Sequence, residues 1–468
     1  MSEATSKLAG RASAATRSLI AVTAGNLKAW LAKQSPRTKA WVEASGFKAA
    51  PHSQCLIPGT KGEVACALAG IGDPADPFAY AGLPSALPEG RYRFDPEPEA
   101  GQADAAALGW ALGSYAFTRY RKPSQTFAEL VWPKRADRGE VTRLAEAVYL
   151  VRDLINTPAG DLGPTQLAEA AKDLAKRHGA KTKVIVGDDL LKRNYPAIHA
   201  VGRAAADAPR LIDMRWGGSG PRVTLVGKGV CFDSGGLDLK PAVGMKLMKK
   251  DMGGAAHVLG LAHAIMDAGL PLRLRVLIPA VENAVSGNAF RPLDVLSTRK
   301  GLTVEIGHTD AEGRLILCDA LTEAQSESPD LIVDFATLTG AARVALGPEL
   351  PAMFCNHDPT AEALERHAAE QGDPLWRLPL HQAYKSQIDS KVADLNNVSS
   401  QPFAGAIIAA LFLERFVEPK TPWVHFDIMA WNPSGKPGRP EGGEAMGLRA
   451  VLALIKERVG FAESAGKA

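Results

Sequence analysis

The chain has 468 residues, of which 46% are hydrophobic and 22% charged, with a formal net charge of +3. The composition is that of an ordinary folded protein, and the length exceeds one typical core, so two domains are expected. So small a charge argues against a nucleic-acid or membrane-surface partner, although a local basic patch would escape a whole-chain count.

Residues 1–24 carry Lys7, Arg11 and Arg17 among many Ala and Ser, with Glu3 the one acid. They read as a poorly ordered leader entering a first strand, in preference to a transit peptide. Short strands are expected at 18–22, 54–57 and 63–69, and helices at 27–44 and 104–117. Pro/Gly-rich joints fall at 74–88 and 91–101. Gly70-Ile71-Gly72 has the look of a dinucleotide loop, but Pro74 and Pro77 would stop the helix that motif needs, so it reads as a turn. The basic stretch 119–122 reads as a solvated helix end. Together these elements make a smaller α/β domain over residues 1–140.

From residue 141 to 468, helix and strand patterns alternate. Helices are expected at 143–156 and 165–178, and strands at 183–186, 222–226, 272–278, 302–306, 331–335 and 423–428. Strands separated by helices imply an α/β domain with a mainly parallel central sheet covered by helices, and ligands gather beyond the carboxyl ends of such strands. Lys228, Asp233, Glu282, Asp310 and Thr337 fall at or just past those ends.

The octet from His308 to Leu315 follows the apolar run 302–306 and sets Asp310, Glu312 and Arg314 within five residues. With the backbone still extended, Asp310 and Glu312 would face one point while Ala311 faces the wall. Gly313 would let the chain turn sharply into a helix over 314–324. Two convergent carboxylates suit a divalent cation; the plain alternative is a charged turn with an internal Asp–Arg pair. Upstream, Gly227-Lys228-Gly229 places a lysine where the backbone is open. Asp233, the small loop Ser234-Gly235-Gly236, Lys240 and Asp251 follow. The helix expected from Gly253 starts with small residues and is able to approach a crowded site.

Lys228, Asp233, Lys240 and Asp251, followed by Asp310-x-Glu312-x-Arg314, closely resemble the leucyl aminopeptidases, the two-metal M17 metallopeptidases. Further matching segments lie at 282–295, 336–340 and 403–413, so the similarity covers roughly residues 145 to 455. The resemblance implies one metal held by Asp233, Asp310 and Glu312, and a second held by Lys228, Asp233, Asp251 and Glu312. It implies that Lys240 polarises the scissile carbonyl and that Arg314 holds a bicarbonate or similar anion. It also implies that Met248, Thr337, Leu338 and Gly340 line the pocket for the first side chain. The implied substrates are peptides with a free N-terminus, and the implied assembly is a homohexamer. His308 stands where the family usually has Asn, which alters local hydrogen bonding. The segment from Asp427 to Trp431 is bulkier than the family's small-residue run, which would narrow the pocket.

The implied chemistry is self-consistent. Four carboxylates balance two dications, and a ligating Lys228 must be a neutral amine, which neighbouring cations favour. A donor set of carboxylates and one amine suits Zn²⁺ or Mn²⁺, with Mg²⁺ as a further option. Arg314 is suited to gripping a planar anion. No HExxH spacing occurs, and His257 and His263, six apart on one helix, are read as structural. The five cysteines are scattered without a CxxC, which points to a reducing, cytoplasmic compartment; Cys231 reads as a packing residue. No apolar run approaches the ~20 residues of a membrane span. A phosphoesterase would need more basic residues near the carboxylates than Lys240 and Arg314. A non-catalytic DNA-binding relative would be expected to have lost a ligand, and none is missing.

Overall fold

The computed structural model describes residues 3–122 and 126–461, and the chain divides into two compact units. Of the described residues, one comprises 3–149 with 434–441, and the other 150–433 with 442–461. The division falls at 149/150, inside the helix Arg138–Asn156, and not at residue 140.

The smaller unit holds a six-stranded sheet of β1 (Leu8–Ala9), β2 (Arg17–Val22), β3 (Gln54–Pro58), β4 (Val64–Gly70), β5 (Arg91–Phe94) and β6 (Glu129–Val131). Its order is β1-β6-β5-β2-β4-β3, parallel throughout except for the β3–β4 pair. The leader reading is corrected here. Leu8 and Ala9 are buried and pair with Leu130 and Val131, so a strand of the sheet already lies within the expected leader. The expected joint at 91–101 contains β5, whose Tyr92 and Phe94 alternate inward as a strand requires. The helix expected over 27–44 breaks in two at Ser35-Pro36, where Ser35 accepts a bond from Thr38 N and caps the second helix. The helix Ala100–Gly113 ends before the basic stretch 119–122, which is exposed loop. Trp110, on that helix, is fully buried and its indole donates to Ala128 O at 3.0 Å.

The larger unit is built on a nine-stranded sheet. Its strands are β7 (Lys181–Val186), β8 (Arg210–Trp216), β9 (Arg222–Gly227), β10 (Gly229–Asp233), β11 (Arg273–Asn283), β14 (Leu331–Ala336), β15 (Ala352–Cys355), β16 (Trp376–Arg377) and β18 (Trp423–Asp427). A separate small sheet joins β12 (Val295–Ser297), β13 (Thr303–Glu305) and β17 (Leu395–Asn396). The large sheet runs β16-β15-β18-β14-β9-β11-β8-β7, with β10 also on β11. Its centre, β18-β14-β9-β11 with β10, is parallel, whereas β7, β8 and β15 pair antiparallel towards the edges. The expected strand at 302–306 is the short β13, and it belongs to the small sheet and not to the central one.

Every residue of β14 is buried, as suits the middle strand of a sheet covered on both faces. Its one acid, Asp334, accepts from Trp423 Nε1 and from His425 Nδ1, each at 2.6 Å, so the buried charge is met by donors from β18. The helices Pro164–His178 and Leu448–Arg458 gather with Gly253–Asp267, while Pro196–Gly202 and Gly405–Glu414 gather with Glu312–Ala324; both groups pack on the sheet. Because the central strands are parallel, β9, β10, β11, β14 and β18 all end at one edge.

Candidate metal centre

That edge carries the chemistry. Lys228 follows β9, Asp233 ends β10, Asn283 ends β11, Thr337 follows β14 and Asp427 ends β18. Lys240 and Asp251 come from the connection between β10 and the helix Gly253–Asp267, and Asp310 and Glu312 from the turn after β13.

Lys228 is 3% exposed, and its Nζ lies 2.7 Å from Asp251 Oδ2 and 2.9 Å from Glu312 Oε1. It also donates to Thr337 O at 3.0 Å. Lys240 Nζ lies 2.8 Å from Asp233 Oδ2 and also pairs with Asp310. One oxygen from each of Asp233, Asp310 and Glu312 falls within 4.8 Å of the others. Asp310 and Glu312 therefore do converge, but by a different route from the extended one. Asp310 sits in a turn, and Glu312 opens the helix Glu312–Ala324. Gly313 is helical, and its role is space: an added Cβ would meet the Lys228 side chain, as close as 2.5 Å at Cε. Gly254 acts likewise, since a Cβ there would stand 2.0 Å from Phe335 O and 2.7 Å from Lys228 N.

The cluster sets four carboxylates against two lysines. Burial, and then Asp233, push the Glu312 carboxyl up to about 8; burial and Asp251 push Asp233 up to about 6. Burial would lower both lysines, but Asp251 and Glu312 outweigh it at Lys228 and Asp233 outweighs it at Lys240, so both are held above the usual range. Among the protein's own charges Lys228 is thus an ammonium, and acting as a ligand requires it to lose a proton. Glu312 Oε2 is buried without a hydrogen-bond partner, a costly state for an acceptor that a bound cation would relieve. An oxygen-rich, negatively charged donor set with such an orphan fits a divalent ion.

A cavity of about 490 Å³ opens on this cluster. Lys228, Asp233, Lys240, Met248, Asp251, Asp310, Arg314, Thr337, Leu338 and Gly340 all line it, and Glu312 lies beneath them, 1% exposed. Arg314 donates to Asn397 O, while its Nε is buried without a partner; burial lowers its guanidinium to about 10. The side chains from Ile428 to Trp431 are not among the walls of this cavity. Asp427 instead accepts from Leu338 N at 3.0 Å, Thr339 N at 3.1 Å and Thr339 Oγ1 at 2.6 Å, fixing the loop after β14. The His308 ring accepts from Asp310 N at 3.2 Å. His257 is buried, bonded to Gly253 O and Met446 N, and takes no part in the site.

Several supports have no sequence signature. Asn283 Nδ2 donates to Asp233 Oδ1 at 2.9 Å, whereas Glu282, one residue earlier, is only half-buried and makes no such bond. Asn397 accepts from Gly307 N and donates to His308 O, holding the turn before Asp310. Thr337 Oγ1 donates to Asp251 Oδ1 at 2.6 Å.

The parallel α/β unit with a carboxylate–lysine centre at its strand ends is that of a metallohydrolase-like enzyme. Residues 149–452 match the cytosol aminopeptidase family, catalytic domain, and residues 18–133 match the M17 aminopeptidase, N-terminal domain. The chain is 41% identical over 372 residues to a probable cytosol aminopeptidase of Geobacter sp. (strain M21), covering 76% of this chain and 75% of the relative. It is 40% identical to peptidase B of Pectobacterium carotovorum, covering 75% of this chain and 84% of that one. The crystal structure of cytosol aminopeptidase from Coxiella burnetii superimposes with a TM-score of 0.92 at 51% identity, covering 96% of this chain and 98% of that one. The bottromycin maturation enzyme BotP in complex with Mn gives 0.86 at 34% identity, covering 95% and 100%. The chain belongs to the M17 cytosol aminopeptidase family. It is an aminopeptidase, a hydrolase whose substrates are peptides.

Proposed function

We propose that this aminopeptidase removes N-terminal residues with a water activated by two divalent metal ions. The observation that carries the reading is the meeting of Asp233, Asp310 and Glu312 oxygens within 4.8 Å, with Lys228 and Asp251 alongside and Glu312 Oε2 unpartnered. Asp233, Asp310 and Glu312 would hold one ion, and Lys228, Asp233, Asp251 and Glu312 the other. Bound there, such a pair supplies Lewis acidity and a deprotonated water near neutral pH. Mn²⁺ and Zn²⁺ suit the donors, with Mg²⁺ a further option, and the Mn complex of the related BotP supports the first.

The remaining roles belong to side chains of the cavity. Lys240, an ammonium, offers positive charge to the carbonyl oxygen as negative charge grows there. Arg314, with its Nε free of protein partners, would hold a bicarbonate or similar anion, which would supply a proton-accepting group beside the reacting carbonyl. Met248, Thr337, Leu338 and Gly340 receive the first side chain. The proposed setting is a cytoplasmic homohexamer; among the described residues no helix is long and apolar enough to cross a membrane.

The test is elemental analysis of purified, active protein, paired with an aminoacyl-p-nitroanilide and its N-acetylated control. Two ions per chain and cleavage of the free-amine substrate alone are expected. Fewer than two ions in fully active protein, or cleavage of the blocked substrate, would overturn the reading.

A further inference from the structure

Two basic side chains in the wall of the cavity are not used by this mechanism. Lys250 is 2% exposed, lines the cavity, and forms no ion pair among the described residues. The acids that face it are already committed: Asp251 to Lys228 and Thr337, and Asp427 to the amides and hydroxyl of the loop 338–339. Arg343 lines the same cavity, and its Nη1 is buried without any hydrogen-bond partner. An orphaned cationic donor is costly to bury, and Arg343 Nη1 in the wall of an open cavity, with the Lys250 amine in the same wall, points to an anion that completes it.

Their positions say which part of a substrate they would meet. Lys250 lies two residues after Met248 on the same short stretch, and Arg343 lies one turn after Gly340 in the helix Gly340–Leu346. Met248 and Gly340 are the residues assigned above to the first side chain, so this inference rests on that assignment. The small residues Gly340, Ala341 and Gly405 complete this part of the wall and leave room for an unbranched side chain.

We infer that Lys250 and Arg343 make this aminopeptidase selective for peptides whose N-terminal side chain is a carboxylate, Asp or Glu. The Arg343 guanidinium would donate to the carboxylate, with the Lys250 amine as a second donor in the same wall, and a charge-assisted bond of this kind outweighs a neutral one. The same pair repels a basic side chain, so N-terminal Lys and Arg are disfavoured. A second source of the same chemistry is the C-terminal carboxylate of a dipeptide, and the test separates the two.

The experiment compares kcat/KM of the Mn²⁺-loaded full-length enzyme on Glu-, Asp-, Leu- and Lys-p-nitroanilides, which lack a C-terminal carboxylate, and on Leu-Gly against Leu-Gly-amide. Glu should exceed Lys by about 10-fold or more, and the Glu:Leu ratio should fall about 10-fold or more in Lys250→Met and in Arg343→Leu. Lys250→Arg should keep the ratio. Arg343→Leu, at a half-buried helix position, carries the test should Lys250→Met not fold. A Glu:Leu ratio unmoved by these substitutions overturns the inference. So does a loss confined to Leu-Gly relative to its amide, which would assign the pair to the C-terminal carboxylate. Failure of the inference leaves Leu-p-nitroanilide cleaved; failure of the underlying site reading leaves no anilide cleaved, and the inference falls with it.

Discussion

Gly313 lies directly beneath Lys228: a Cβ on the glycine would stand 2.5 Å from Lys228 Cε and 2.7 Å from its Nζ. The lysine tip is flexible, so Gly313→Ala is expected to fold, with the amine pushed away from Asp251 and Glu312. Activity should drop by about 100-fold or more with one ion per chain lost, read by kcat and metal analysis against an unchanged circular dichroism spectrum. Full activity in this variant would show that Lys228 is not a ligand.

Glu312→Gln and Asp310→Asn should each abolish turnover of an aminoacyl-p-nitroanilide while the protein stays folded. Glu312 is the sharper case, because its carboxyl is already pushed up to about 8 among the protein's own charges. The neutral amide therefore resembles the protonated group it replaces, and its thermal midpoint should match that of the metal-free parent. Retained turnover in either variant would remove that residue from the ligand set.

Lys240→Ala removes a group that pairs with Asp233 and Asp310 but holds no ion in the proposed scheme. Its kcat should fall about 100- to 1000-fold with metal content intact. An unchanged kcat would deny it a part in carbonyl activation.

Metal-free protein should lose thermal stability as pH rises from about 5 to about 8.5. The unfolded chain releases the Asp233 and Glu312 protons near about 4, whereas the folded chain keeps them until about 6 and about 8. The stability from these raised values is fully present below the unfolded pKa and is lost through the folded ones. Because ions require the ionised carboxylates and a neutral Lys228, stabilisation by added Mn²⁺ should grow over the same interval. Scanning calorimetry with and without Mn²⁺ checks both signs, and a metal-free midpoint that climbs with pH would contradict the burial argument.

Lys228, Asp233 and Asp310 are legible in the chain because each ends or follows a strand-like run and stands in a short, unusual context, as Lys228 does between two glycines, whereas Lys240 and Asp251 are read through the family resemblance. The parallel core is legible for the same reason, since 331–335 and 423–428 read as buried runs. What escapes the sequence is what depends on the partner across space. β8 mixes Arg210, Asp213 and Arg215 into its run, and β15 is only four residues long, so neither shows a strand period. Asn283, Asn397 and Asp427 act through single hydrogen bonds to distant segments, which no local pattern encodes. Lys250 looks like any surface lysine until the fold closes around it, and Gly313 looks like a turn residue until Lys228 arrives above it.

Lys228, Asp251, Glu312 and Thr337 reach the centre from separate segments of the chain, and each is bonded to at least one of the others. No fragment of the chain owns the centre. On the proposed assignment, a polypeptide still emerging from the ribosome therefore has no means of cutting its neighbours. Hydrolytic power comes only with the finished sheet, which makes folding itself the enzyme's safeguard.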